Sequence, residues 1–344
     1  MQVALEESYE PEKARVFWKR PLTKSYGGFI GYSNLASDFD ECIDHDPDSE
    51  IVFHLNDPSG FMPIESKTNI LYTMWETTDF PRCYVDIVNQ ADVLVVPTTF
   101  CKEIFEPFFD GPLYVVPMAV DGDKWTYKRR KRPRSGEPFR WLWINSADPR
   151  KGQYIVGSLW ERYFFNLPGV ELYMKTTNNT EDVFEQRGNV IFDSRYVEQD
   201  ELLSLYHSAH GFLYPSWGEG FGYSAAEAMV TGLPTVATDW SGYTDFFNIA
   251  TGYPCKYMMI RGDRILDPKQ PVDNHLSRAE DGKYNVAICN PADMTKNMDR
   301  VMLKYSKATE KAAKGAKLLR KNHTLDVMRE KLRDVVEQVR YSNG

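Results

Sequence analysis

The sequence predicts an α/β protein with two parallel β-sheets, one in each half of the chain. Short apolar segments alternate with helical ones throughout, which is typical of parallel strands joined by helices. Most apolar segments are rich in β-branched or aromatic residues and lack polar alternation, as strands covered on both faces do. A basic, proline-containing break at residues 128–138 separates the two series. The 344 residues allow two domains at a prior of roughly 150 residues each.

In the first half, strands are predicted at residues 14–18, 51–55, 69–73, 92–96 and 113–117, and helices at 31–42 and 83–90. In the second half, strands are predicted at residues 139–144, 170–175, 189–192, 211–214 and 234–238, and a helix of small residues at 224–231. The chain ends in helices predicted at residues 291–319 and 324–341, with a break near 321–323. The last helix must bury one face, because its apolar residues recur at helical spacing. These residues are Leu325, Met328, Leu332, Val335, Val336 and Val339.

Composition excludes several classes of protein. The net charge of −8 excludes a generally basic nucleic-acid coat, although a local basic patch stays possible. The five cysteines contain no C-x-x-C pair, which argues against a disulfide framework and against a zinc ribbon. No apolar run approaches the roughly 18 residues that span a bilayer, and the first residues lack the apolar core of a signal peptide. We therefore expect no transmembrane segment and a cytoplasmic protein, in the host cell if the source is viral.

The break itself permits two interpretations. Six of the seven residues from Lys128 to Arg134 are basic, and a Ser-Gly-Glu-Pro segment follows. Such a segment cannot form a core, so residues 128–138 are predicted to link a domain at 1–127 to a domain at 139–321. The run is either a solvated linker or a contact for an anionic partner such as nucleic acid or a phospholipid surface.

The most informative segment is Pro215–Met229, which reads PSWGEGFGYSAAEAM and follows a predicted strand. Its three glycines let the backbone approach a ligand closely, and free amides at a helix start attract an anion such as phosphate. Glu219 lies in the loop and Glu227 in the helix, and carboxylates accept hydrogen bonds from sugar hydroxyls. This combination fits a nucleotide sugar. The alternative is a tight glycine turn with a solvated glutamate.

Glu219 and Glu227, with seven residues between them, resemble the E-x(7)-E motif of the family-four retaining glycosyltransferases, which have the GT-B fold. The segments LYTMWETTDFP, ADVLVVPTTFCKEIF, VVPMAVDGDKW and GLPTVATDWSGYTDF are also similar to that family. The resemblance covers about residues 69–250. It implies two Rossmann-like domains facing across a cleft, with a final helix at 322–344 that crosses back to the first domain.

The resemblance also implies roles for individual residues. Glu227 would hold the ribose, Glu219 would contact the donor sugar, and Lys151 would neutralise the diphosphate. His54 resembles a histidine beside the donor sugar in the first domain. The other donor-binding candidates are the backbone of Gly220, Phe221, Gly222 and Tyr223 and a glycine loop at Gly27 and Gly28.

One feature departs from the family. An arginine is usual five or six residues before the lysine, where this chain has Asn145 and Ser146. Arg150, next to Lys151, is a candidate substitute, and we include Ser146 in the donor site. This departure leaves open which cation binds the diphosphate together with Lys151.

On the acceptor side, Trp75 and Glu76 follow a predicted strand and would face the cleft, although a buried tryptophan is an equal alternative. Asp121 and Asp123 form a D-x-D in a turn, for which we expect no metal. No cofactor is expected either.

Together with these observations, the resemblance implies a retaining, metal-independent glycosyltransferase that uses a nucleotide-diphosphate sugar, with UDP as the favoured nucleotide. It would move a hexose or pentose to an unidentified hydroxyl, on a glycan, a lipid-linked acceptor or DNA. One alternative is a phage-type transferase that glycosylates hydroxymethylated bases in DNA. Others are a non-catalytic nucleotide-sugar-binding protein and an epimerase or phosphorylase of the same fold.

Overall fold

A computed structural model describes residues 50–177, 182–262 and 284–342, together with the backbone of 16–19. The predicted helix at 31–42 and the predicted glycine loop at Gly27 and Gly28 lie outside these residues.

The first half forms a parallel sheet of five strands in the order β1-β2-β3-β4-β5. The strands are β1 Val16–Lys19, β2 Ile51–Leu55, β3 Thr68–Tyr72, β4 Val93–Val96 and β5 Leu113–Val115. The helices are α1 Val85–Val88 and α2 Thr99–Phe105, with 3-10 turns at Pro58–Gly60 and Arg82–Tyr84. The predicted helix at 83–90 is thus a 3-10 turn and a single α-turn. The Asn89 side chain ends it by donating to Val85 O and Phe108 O.

The second half forms a sheet of seven strands in the order β12-β11-β10-β6-β7-β9-β8. The strands are β6 Phe139–Ser146, β7 Val170–Thr177, β8 Phe184–Arg187, β9 Val190–Asp193, β10 Gly211–Tyr214, β11 Thr235–Thr238 and β12 Tyr253–Cys255. The helices among them are α3 Gln153–Tyr163, α4 Gln199–Ser208 and α5 Tyr223–Val230. A separate antiparallel pair follows, β13 Tyr257–Arg261 and β14 Asn285–Cys289. The predictions missed β8 because this antiparallel edge strand is exposed along its length and has no apolar run.

The chain ends in three helices, α6 Pro291–Leu303, α7 Tyr305–Asn322 and α8 Leu325–Ser342. The single helix predicted at 291–319 is wrong, because Lys304 leaves helical dihedrals and separates α6 from α7. Val301 and Tyr305, on opposite sides of this break, belong to one hydrophobic cluster. The break predicted near 321–323 is present.

Helix α8 connects the end of the chain to the first sheet. Its buried side chains share one hydrophobic cluster with residues of β2, β3 and β4. They are Met328, Leu332, Val335, Val336 and Val339, and the partners include Ile51, Phe53, Ile70, Tyr72, Val93 and Val95. The entry to α8 is held because Val120 N donates to His323 O at 2.8 Å. The fold is therefore two α/β halves with a final helix that returns to the first half, whereas the domain boundaries at 127, 138 and 321 stay predictions.

Arg130 departs from the predicted solvated linker. Its side chain is only 7% exposed, and Nη1 donates to Tyr206 O at 2.7 Å and to Ala209 O at 3.1 Å. Its Nη2 donates to Thr231 O at 3.0 Å. These carbonyls lie at the carboxyl ends of α4 and α5, where the helix leaves acceptors unsatisfied and where a cation is favourable. The basic segment is therefore anchored to the second half at its third residue.

Candidate functional site

The site lies where the loops after β6 and β10 meet. These strands are neighbours in the sheet, so their carboxyl ends lie side by side, which is where open parallel sheets bind ligands. Gly152 ends the first loop with a φ of 77°, and a Cβ there would lie 2.2 Å from Pro215 O in the second loop. Both the backbone conformation and the space require glycine. The two loops are therefore in direct backbone contact.

An ion pair between Lys151 and Glu219 forms the centre of the site. Lys151 Nζ lies 2.8 Å from both Glu219 Oε1 and Glu219 Oε2. Ser216 Oγ donates to Glu219 Oε1 at 2.6 Å, and Glu219 N donates to Ser241 Oγ at 3.1 Å. Glu219 is 5% exposed. Burial alone would raise the pKa of Glu219, but the cations of Lys151 and Arg150 and the hydrogen bonds hold it below its usual value. Glu219 is therefore a buried carboxylate held by Lys151, Arg150 and Ser216, and its backbone is held by Ser241.

Arg150 is the second cation of the site and connects the two halves. Its Nη1 hydrogen-bonds Gly218 O and lies 3.6 Å from Glu219 Oε2, while Nη2 lies 3.6 Å from Glu76 Oε1. Burial opposes the charge of Arg150, but the carboxylates of Glu76, Glu219 and Asp148 outweigh it and raise the pKa. Arg150 thus places a guanidinium at the predicted phosphate site from a sequence position that differs from the one usual in the family.

The two residues at that usual position end strand β6. Ser146 is half-buried, and Asn145 is buried with no hydrogen-bond partner for Nδ2 among the described residues. No described hydrogen bond joins Ser146 to Lys151 or Glu219, so its donor-binding role stays a prediction.

Helix α5 carries Glu227 behind the glycine loop. Gly222 precedes the helix with a φ of 90°, and Phe221 beside it is buried against Phe246. Tyr206 OH donates to Glu227 Oε2 at 2.9 Å. Burial raises the pKa of Glu227 to about 8, against the opposite effect of the Tyr206 hydrogen bond. Glu227 is therefore mostly neutral at pH 7 before a ligand binds, although a charged acceptor was expected.

The glycine loop is packed directly against the first half. Thr98 Oγ1, which precedes α2, donates to Gly220 O at 2.9 Å. A Cβ on Gly218 would lie 1.9 Å from Glu76 O, and one on Gly220 would lie 2.6 Å from the Met74 Cβ. The segments after β3 and β4 therefore meet this loop across the cleft, and the absence of side chains at the glycines permits the approach.

Two residues predicted for the cleft, Trp75 and His54, have no described contact with the Lys151–Glu219 pair. Trp75 is 1% exposed and belongs to the core of the first half. Its Nε1 donates to Thr77 Oγ1 and Asp79 O, both at 2.8 Å, so its predicted contact with an acceptor is wrong. His54 is buried near the end of β2, with Nε2 2.9 Å from Asn69 Oδ1. Its role beside the donor stays a prediction.

The structure adds four residues that sequence reasoning missed. Ser216 and Ser241 hold Glu219, Tyr206 holds Glu227, and Thr98 holds Gly220. Ser241 has a φ of 82°, an uncommon conformation for a residue other than glycine, and such strain is concentrated at functional sites. Three of them, Thr98, Ser216 and Ser241, follow the carboxyl ends of β4, β10 and β11. Ligands bind at the carboxyl ends of parallel strands, so the sequence indicated this region but not these particular residues.

Asp121 has a structural role. Its Oδ1 accepts hydrogen bonds from Asp123 N at 2.9 Å and Lys124 N at 3.1 Å, which closes the turn of the D-x-D. Across residues 50–177, 182–262 and 284–342, no group of three or more His, Cys, Asp or Glu side chains could hold a metal ion. In the same residues, every helix is too short or too polar to cross a membrane.

Comparison with known proteins points to one class of fold. Residues 169–255 match the family model described as "Glycosyl transferases group 1". The glycogen synthase of Mycobacterium tuberculosis is 28% identical over 186 residues, which are 51% of this chain and 44% of that protein. The chain thus matches less than half the length of this relative.

Solved structures match over most of the chain. Sucrose-phosphate synthase from Thermosynechococcus elongatus has a TM-score of 0.63 at 11% identity, covering 90% of this chain and 77% of that one. Anabaena HepE, in complex with UDP-glucose, has a TM-score of 0.60 at 12% identity, covering 84% and 79%. Together with the two parallel sheets, these likenesses establish that the chain has the GT-B fold of glycosyltransferases.

Proposed function

We propose that this chain is a retaining glycosyltransferase that moves a hexose or pentose from a UDP-sugar to a hydroxyl acceptor. The observation that carries the proposal is the pair of Lys151 with the buried Glu219, beside a glycine loop at the start of a helix. It combines a cation for a diphosphate with a carboxylate for sugar hydroxyls in one place. The family match at residues 169–255 and the UDP-glucose bound to HepE support the donor class.

The residues suggest a sequence of events. An incoming diphosphate competes with Glu219 for Lys151 and also meets Arg150 and the amides at the start of α5. Glu219, released from Lys151, then accepts hydrogen bonds from the donor sugar, while Glu227 accepts them from the ribose. These cations stabilise the charge that grows on the leaving diphosphate, and such stabilisation is usually the largest catalytic contribution.

Transfer then proceeds by substitution on one face of the sugar. The bond from the anomeric carbon to the β-phosphate oxygen breaks, and a bond to the acceptor oxygen forms on the same face. The departing phosphate oxygen takes the acceptor's proton. This route requires no enzymic nucleophile, and Lys151 and Arg150 supply the positive charge that a metal supplies in other transferases.

The test is turnover of UDP-sugars with panels of glycan, lipid-linked and hydroxymethylated DNA acceptors. We expect UDP release that depends on an acceptor, an α-linked product from an α-linked donor by NMR, and unchanged turnover in EDTA. A β-linked product would contradict retention, and activity lost in EDTA and restored by Mn²⁺ would contradict metal independence. Tight UDP-sugar binding without hydrolysis or transfer to any acceptor would instead identify a non-catalytic binding protein.

A further inference from the structure

A concentrated positive surface lies on the second half, outside the glycine-loop site. It consists of ten exposed basic residues, which we call the basic surface. They are Lys128, Arg129, Lys131, Arg132, Arg134, Lys304, Lys307, Lys314, Lys317 and Lys321. The two segments that carry them, 128–137 and 304–321, contain only two acidic residues, Glu137 and Glu310. The charge is therefore strongly concentrated here in a chain whose net charge is −8.

The two segments lie side by side. Tyr127 lines a shallow cavity together with Lys317 and Lys321 near the end of α7. Arg132 and Arg134 line another cavity together with Met302, just before α7 begins. The segment after Tyr127 therefore begins beside the end of α7 and reaches the residues just before its start, in the direction opposite to α7. The two sets of charges lie on neighbouring segments.

The surface is held in place: Lys128 Nζ donates to His207 O at 2.9 Å, and the other nine basic side chains have no described hydrogen bond. Arg130 anchors the segment through three backbone carbonyls, and α7 buries its opposite face, including Ala308, Ala312 and Leu319. Within the described residues, none of the ten basic side chains forms an ion pair. A fixed array of unneutralised cations attracts an extended anionic partner much more strongly than scattered charges do.

We propose that the basic surface docks this protein onto an anionic lipid membrane. Exposed apolar side chains lie at both ends of the array, Leu303 at 76% exposure and Tyr127 at 44%. Basic side chains flanked by exposed apolar or aromatic ones are typical of helices that lie in the membrane interface. Seven of the ten residues are lysines, whose long stems allow the ammonium to reach the headgroups.

Nucleic acid fits this surface less well. Bases are read by bidentate arginine and by asparagine or glutamine, and single strands are bound by rows of aromatic residues. Segments 128–137 and 304–321 contain no asparagine or glutamine, and the single aromatic residue in them, Tyr305, is buried. Apart from its three arginines and the neighbouring Tyr127, the array offers charge and apolar contact without groups for reading bases, which favours a lipid surface.

The test is flotation of the full chain with phosphatidylcholine vesicles that contain or lack about 30 mol% phosphatidylglycerol. We expect binding only to the anionic vesicles, weakening steeply as salt rises from about 0.1 M to 1 M. Each basic residue near such a membrane strengthens binding about fivefold. The triple variants R129Q/K131Q/R132Q and K307Q/K314Q/K317Q should each therefore bind about 100-fold more weakly.

A matched control removes the same charge from other exposed positions, R82Q/K256Q/K331Q, and should bind like the wild type. L303S should weaken vesicle binding at a salt concentration where the charges are screened. Thermal unfolding followed by circular dichroism on every variant reports folding without relying on UDP-sugar binding, and so separates this proposal from the proposed transferase activity.

Absence of binding to anionic vesicles, or an equal loss in the control variant, would overturn the membrane proposal. Binding to a duplex DNA of random sequence that is lost in both patch variants, while vesicles are not bound, would overturn it in favour of nucleic acid.

Discussion

Nucleotide binding should depend on pH through Glu227, because this buried carboxyl group is mostly protonated below pH 8 before the ligand arrives. Burial raises its pKa to about 8, and the only described hydrogen bond that it accepts comes from Tyr206 OH. A ribose offers two hydroxyl donors, which a carboxylate can accept but a carboxylic acid cannot accept equally well. We therefore expect ligand binding to release a proton from Glu227 below pH 8.

The size of the effect follows from that pKa. At pH 8 about half of the free protein already carries the carboxylate, whereas at pH 6 only about 1% does. If the bound state requires the carboxylate, the affinity falls about 50-fold from pH 8 to pH 6, or about 2.3 kcal/mol. The sign is fixed: affinity is greatest above pH 8 and declines as the pH falls.

The assay is calorimetric titration with UDP-glucose, whose phosphates do not ionise in this range. Titrations in buffers of different ionisation enthalpy count the protons released. The E227Q variant is the control, since it has no ionisable group at this position and should bind weakly with little dependence on pH. An affinity of the wild-type protein that is flat between pH 6 and pH 8, or that E227Q shares, would remove Glu227 from the ribose site.

The remaining predictions concern the ion pair and the anchor of the basic segment. K151M should lower turnover by a factor of about 10²–10³ in a UDP-release assay, while the control variant K331M should leave it unchanged. Equal rates for both variants would exclude Lys151 from stabilising the leaving group. E219Q should slow transfer and reduce the selectivity between glucose and galactose donors. It should bind UDP at least as tightly as the wild type by calorimetry, because Lys151 no longer has to leave a carboxylate. Weaker UDP binding would contradict this. R130M should lower the free energy of unfolding in urea by about 3 kcal/mol, since buried carbonyls lose their donor. The exposed R129M should change it by less than about 0.5 kcal/mol. Similar unfolding midpoints for the two variants would refute the anchoring role of Arg130.

Much of the fold follows from local patterns in the sequence. Strands β2 and β10 lie at their predicted bounds, because short runs of apolar residues between turns have few alternatives to a buried parallel strand. The glycine loop before α5 was predicted because glycines at a strand-to-helix junction have a local backbone requirement. The spacing of Glu219 and Glu227 and the position of Lys151 after β6 likewise came from the sequence and its resemblance to a family.

Only the tertiary structure decided what these side chains do to one another. Lys151 and Glu219 are 68 residues apart, and their contact exists because β6 and β10 are neighbours in the sheet, an order that no local pattern encodes. Trp75 and Arg130 had plausible solvent-facing interpretations in the sequence. Both are buried: Trp75 packs into the core of the first half and bonds to the nearby Thr77 and Asp79, whereas Arg130 bonds to carbonyls of segments that are distant along the chain.

The protonation state of Glu227 is also decided by the tertiary structure. Its pKa depends on how completely the surrounding helices and sheets exclude water, and burial is a property of the whole packed chain. The sequence by itself predicted which residues would bind a nucleotide sugar, because backbone conformation and residue type act locally. The tertiary structure decided their charge states and partners, because electrostatics and burial act between segments that are distant along the chain.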